Sequence, residues 1–111
     1  MTTTGKKDWD EDDVLLPARL IFVVNNGDPN PPVPADNPEF IRTMNAMNID
    51  ARQLTARVNM LRSNHPDWRG GNAMKAGTID LRVIDQMVKN PGYVKVHATA
   101  ILERLEEGRE A

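Results

Sequence analysis

Apolar positions fall into two regimes along this chain. Up to residue 36 they follow no helical period; from residue 37 on they recur in steps of three and four. In the first regime, Leu20-Ile21-Phe22-Val23-Val24 is a continuous β-branched and aromatic run of strand length, and Asn25-Asn26-Gly27-Asp28 is a turn signal. Residues 14–26 therefore read as one extended segment. No second strand is evident, so this segment is expected to pack flat on helices or add to another subunit's sheet edge. Pro29, Pro31, Pro32, Pro34 and Pro38 then favour polyproline II, a stiff spacer. Pro31-Pro32-Val33-Pro34 satisfies the PxxP pattern, as any short proline cluster does, and reads as linker.

Helical signals begin at Asn37-Pro38-Glu39: an N-cap, a proline at the first helical position and an acid in the first turn. Phe40, Met44, Met47, Ala51, Leu54, Val58 and Leu61 would together make a coiled-coil seam. A competing signal sits inside it. Asp50 and Gln53 form a variant capping box, and Ile49 and Leu54 stand where a hydrophobic staple would be. An unbroken helix over 38–63 would run about 39 Å, too long for its neighbours. The reading is a break near Asn48, with helices at 38–47 and 51–63. His65-Pro66 stops the second, because a residue before proline resists helical angles. A loop with a short turn at 73–76 follows. Thr78 caps a helix over 79–89, and Asn90-Pro91 opens another over 91–107 with Val94, Ala98, Ile101, Leu102 and Leu105 as its stripe. Gly108 is placed as its stop, and the crowded acids Glu103, Glu106 and Glu107 predict a fraying last turn.

The expected fold is thus mainly α: a small bundle of three to four short helices over 37–111, carrying an extended Pro-rich N-terminal arm over 1–36. The first 13 residues read as a solvated acidic tail in which Trp9 is the natural anchor. Composition changes the picture in two ways. Aromatics are scarce while methionines number six in 111 residues, so the core is thin and adaptable and gains from a partner. A formal net charge of -2 supplies no basic excess for a phosphate backbone or an acidic membrane surface. No apolar run approaches the roughly 20 residues of a bilayer span, and no signal-peptide pattern opens the chain. The absence of cysteine removes disulfides and thiolate chemistry. A cytoplasmic location, or a virion assembled there, is the expectation.

Candidate chemistry is sparse. Ser63 is the lone serine, lies at a helix end near His65, and has no surrounding G-x-S-x-G. Asp8, Asp10 and Asp12 sit at EF-hand offsets, but Asp13 replaces the required glycine and Arg19 the terminal glutamate. Gly70-Gly71 lacks the Lys-Ser/Thr of a phosphate loop. His97 reads as a surface or packing residue. Arg52, Arg57 and Arg62, five apart, fan around their helix instead of forming a stripe. No catalytic residue, metal or cofactor is assigned.

One local pattern resembles a known family. His65-Pro66-Asp67 follows an Arg-bearing helix and precedes Gly70-Gly71 and a further helix, which looks like the loop of J-domain co-chaperones. The resemblance implies two antiparallel helices with the tripeptide between them, engaging an Hsp70 ATPase. Trp68 stands where that family usually has a lysine.

The functional expectation is a non-enzymatic structural or interaction protein. It would be a small accessory subunit docked on a larger assembly by its arm, a phage virion being the specific setting. The alternative is a regulator of one host protein, including an Hsp70 through the His65-Pro66-Asp67 loop. Trp9, Leu20, Phe22 and Val24 are the expected docking residues of the arm, with Trp68 as a loop anchor. The partner is a protein or a second copy; membrane and nucleic acid are not expected.

Overall fold

The acidic run starts a helix. Asp10 takes extended backbone angles, its carboxylate accepts from the Asp13 N–H at 2.8 Å, and Asp13 accepts in return from the Asp10 N–H at 3.2 Å. This capping box opens α1, Glu11–Asn25. The structure, a computed structural model, describes residues 8–110. Among them four more helices follow: α2 Pro38–Met47, α3 Ala51–Asn64, α4 Thr78–Lys89 and α5 Pro91–Glu110. The chain is mainly α, with five helices among the described residues where three to four were expected. The tail expected over 1–13 is described only from Asp8 onward.

The extended segment expected over 14–26, with its strand at Leu20–Val24, is replaced by α1. The physical reason is burial on every side. Every residue from Val14 to Ile21 is buried, so this helix has no polar face to impose a 3.6-residue period. Pro17 lies within it and cannot donate to the carbonyl four residues back, a defect of about 3 kcal/mol in an exposed helix. Burying Val14, Leu16, Leu20 and Ile21 stabilises by roughly 1.5–3 kcal/mol per side chain, which outweighs that defect. α1 touches each of the other four helices and is the centre of the bundle. Phe40, Leu54, Val58, Leu61, Val83, Val94, Ala98 and Leu102 close around it.

The remaining boundaries follow local chemistry. The Asn37 side chain accepts from the Glu39 N–H at 2.8 Å and Pro38 opens α2. Asn48 adopts left-handed angles (φ 56°) and separates α2 from α3 at the expected break. The Asp50–Gln53 box forms in both directions, at 2.8 and 3.0 Å. The α4 cap differs from expectation. Gly77, not Thr78, is the N-cap, because the Asp80 carboxylate reaches back to the Gly77 N–H at 2.9 Å. Residues 73–77 form no turn, and α5 runs through Gly108.

Buried and partly buried charges tie the helices together. Arg19, almost fully enclosed on α1, donates to Glu39 Oε1 at 2.8 Å on α2 and to Thr99 Oγ1 at 3.0 Å on α5. Arg42 continues this link to Glu106 with two bonds of 2.6 and 2.9 Å. Arg57 on α3 meets Asp80 on α4 at 2.8 Å. Among the described residues no buried side-chain nitrogen or oxygen lacks a hydrogen-bond partner.

Candidate functional site

Two loops, one after α1 and one after α3, meet around Arg62. The sequence delivers Arg62 to the last turn of α3, where it is buried. Its Nε donates to Pro29 O at 2.8 Å, its Nη2 to Asn30 O at 2.6 Å and its Nη1 to Asn59 Oδ1 at 2.7 Å. The guanidinium also stands 5.1 Å from the centre of the Trp68 ring. Burial lowers the Arg62 pKa, a sign of what desolvation costs here; the backbone carbonyls offset that cost. The Pro-rich segment is therefore gripped at its start.

Asn30 completes the junction. Its side chain donates to Asp67 O at 3.0 Å and accepts from the Arg69 N–H at 2.7 Å. Asp28 Oδ1 accepts from both nitrogens of Asn30 at 2.9 Å, and these bonds hold the Asp28 carboxyl below its ordinary value. His65 is 9% exposed, and its Nδ1 accepts from the Asp67 N–H at 3.0 Å. Burial pushes the imidazole down; the nearby Asp67 and Asp28 carboxylates oppose this in part. Between the loops lies an open cleft of about 510 Å³, lined by Asn26, Asp28, Asn30, Asp67, Trp68 and Arg69 among others. Of the tripeptide, Pro66 and Asp67 face solvent while His65 turns inward.

The residues expected to dock a partner are distributed differently. Leu20 is fully buried in α1 and serves the protein's own core. Phe22 and Val24 are half-buried and pack on that core. Trp9 is half-buried, with the Arg57 guanidinium 4.4 Å from its ring centre, so it anchors the start of the chain onto α3. Trp68 is half-buried beside Arg62; its Nε1 donates to Gly71 O at 3.1 Å.

The remaining polar candidates have structural partners. Ser63 Oγ donates to Met60 O and accepts from the Met74 N–H at 3.0 Å, which docks the second loop on α3. His97 stacks on Tyr93 with ring centres 5.1 Å apart. Of the basic trio, Arg52 is exposed, Arg57 is paired and Arg62 is enclosed, so they do fan apart. No group of three or more metal-ligating side chains occurs among the described residues. No helix among them is long and apolar enough to cross a membrane.

The sequence reading missed one surface feature. α5 carries two apolar stripes. Val94, Ala98, Ile101 and Leu102 face the core. Tyr93, Val96 and Ala100, at i, i+3 and i+7, lie on the solvent side, with Tyr93 53% and Val96 71% exposed. Leu81 and Val88, seven residues apart on neighbouring α4, are each about half exposed at 51% and 47%. The signal was present in the sequence as a second set of apolar positions with the same period.

No known protein family, curated protein or solved structure matches this chain.

Proposed function

We propose that this chain is a non-enzymatic interaction protein, a small accessory subunit that docks on a larger protein assembly. One observation carries the reading: the solvent-facing apolar stripe Tyr93–Val96–Ala100 on α5, opposite the stripe that already fills the core. Solvated helix faces are normally polar, and an apolar face left outside favours association. The docking element was expected in the N-terminal arm over 1–36; since residues 11–25 of it form the central helix of the bundle and cannot also wrap a partner, we place the docking face on α5 instead. A virion or a cytoplasmic complex is the setting.

A photo-crosslinking residue in place of Val96, introduced in the organism that encodes the chain, tests this. The reading expects a discrete adduct with an assembly subunit, lost when Tyr93→Glu is added and absent when the crosslinker replaces the exposed Arg52. Equal adducts from positions 52 and 96, or none from 96, would remove it.

The regulator reading rests on the exposed Pro66 and Asp67 in the second loop. It expects stimulation of an Hsp70 ATPase that Asp67→Asn abolishes; no stimulation by the unaltered protein rejects it.

A further inference from the structure

The C-terminal end of α1 holds a reactive dipeptide in an unreactive shape. An Asn-Gly pair deamidates when the glycine nitrogen attacks the asparagine side-chain carbonyl carbon. A new C–N bond forms, the side-chain amide leaves as ammonia with the glycine's proton, and a cyclic imide results. Water then opens the imide to aspartate or isoaspartate. Asn26-Gly27 is the chain's one Asn-Gly pair. Asn30, Asn37 and Asn90 precede prolines, whose nitrogens carry no proton to lose.

The side chain of Asn26 is exposed, so water and base reach it. The nucleophile is not available. The Gly27 N–H donates to Ile21 O at 2.9 Å, and the Asn26 N–H to Phe22 O at 3.0 Å. Asn26 is left-handed with ψ 32°, which nearly eclipses Gly27 N with the Asn26 backbone nitrogen. Gly27 N consequently stands away from Cβ and cannot close the ring. Gly27 itself has φ 87°, a second left-handed residue, with the Phe22 ring in van der Waals contact at 3.4 Å from where a Cβ would be. Asn25 Nδ2 pins the following loop through Pro31 O at 2.9 Å.

We propose that Asn26-Gly27 is a deamidation site held shut by the fold, so that modification at position 26 records opening of the α1 C-terminal end. The product is disruptive. A carboxylate there meets the negative end of the helix dipole and the neighbouring Asp28, and isoaspartate lengthens the backbone inside the hydrogen-bonded cap. Once formed, it keeps that end of α1 and the cleft between the loops from re-forming.

The test is peptide mapping by mass spectrometry of the full chain, incubated at mildly alkaline pH with and without urea. Asn26→Gln confirms the assignment by abolishing the signal. The expected result is modification at position 26 at least about tenfold slower without urea, equivalent to about 1.4 kcal/mol of opening. Phe22→Ala, which loosens the cap, is expected to speed the reaction without urea and leave the rate in urea unchanged. Rates with and without urea agreeing within about a factor of two, well inside one decade, would overturn the proposal, as would a Phe22→Ala effect of equal size in urea.

Discussion

Arg62→Met tests what holds the two loops together. The substitution keeps the apolar stem and removes the guanidinium. Three bonds are lost, to Pro29 O, Asn30 O and Asn59 Oδ1, all between 2.6 and 2.8 Å. Each bond to a charged donor contributes about 1.5–3 kcal/mol, and a buried carbonyl left unpaired costs about 1–3 kcal/mol. The variant also escapes the several kcal/mol spent desolvating the cation, so the terms partly cancel. The net expectation is a loss of about 2–4 kcal/mol, a substantial part of the 5–15 kcal/mol of a typical domain. At about 4 °C per kcal/mol, the Tm should fall by roughly 8–16 °C. Urea unfolding followed by far-UV circular dichroism gives the number. Arg62→Lys should recover only part of the loss, because an ammonium cannot reproduce the planar fork. Arg52→Met, on an exposed position of the same helix, should stay within about 0.5 kcal/mol of the unaltered protein. An Arg62→Met protein as stable as the Arg52→Met control would refute the reasoning.

Other expectations concern separate parts of the fold. Trp9→Ala and Arg57→Ala should couple by about 1 kcal/mol in a double-mutant cycle read by urea unfolding, since the cation stands over the ring at 4.4 Å; strict additivity would contradict the anchor. His65 has its pKa lowered by burial, so the unfolded chain binds the extra proton first: stability is full above its ordinary 6.5 and falls as pH drops through and below it. His65→Gln should remove that part of the pH slope, and an unchanged slope would assign it elsewhere. Glu39 is held below its ordinary 4.5 chiefly by its bond from Arg19, so its contribution is present above that value and is lost as pH falls further; Glu39→Gln should flatten this more acidic part of the profile in the same unfolding assay. Gly27→Ala should destabilise by about 1–2 kcal/mol from its left-handed backbone alone, measurable by thermal unfolding.

The helices from residue 37 onward were legible because most of their starts and stops are local, although the α4 cap falls on Gly77 instead of Thr78 and α5 passes its expected stop at Gly108. Asn37-Pro38, Asp50 with Gln53, and His65-Pro66 act within a few residues, and they form as the spacing predicts. α1 was not legible as a helix. A helix buried on all sides loses its period, and Leu20–Val24 then has the composition of a strand. Asp10 and Asp13 did announce its start, but inside an acidic run a capping box looks like solvated charge. Arg62 was seen as one member of a basic trio. Its role depends on Pro29 and Asn30, more than thirty residues earlier, and no local pattern carries that contact. Trp9 was expected to dock a partner; within the chain its ring packs against Arg57 of α3, a contact between residues more than forty positions apart that no local pattern carries.

The central functional claim concerns the outer face of α5. Its most direct test is the size of the complex recovered with the full-length chain, by light scattering after gentle affinity purification from the encoding organism, for the unaltered protein and for Val96→Glu. Val96 is 71% exposed, so the substitution should leave the fold and its urea midpoint unchanged. The account expects the assembly to be lost while the helical circular dichroism spectrum is kept. An unaltered complex carrying a folded Val96→Glu chain would contradict it.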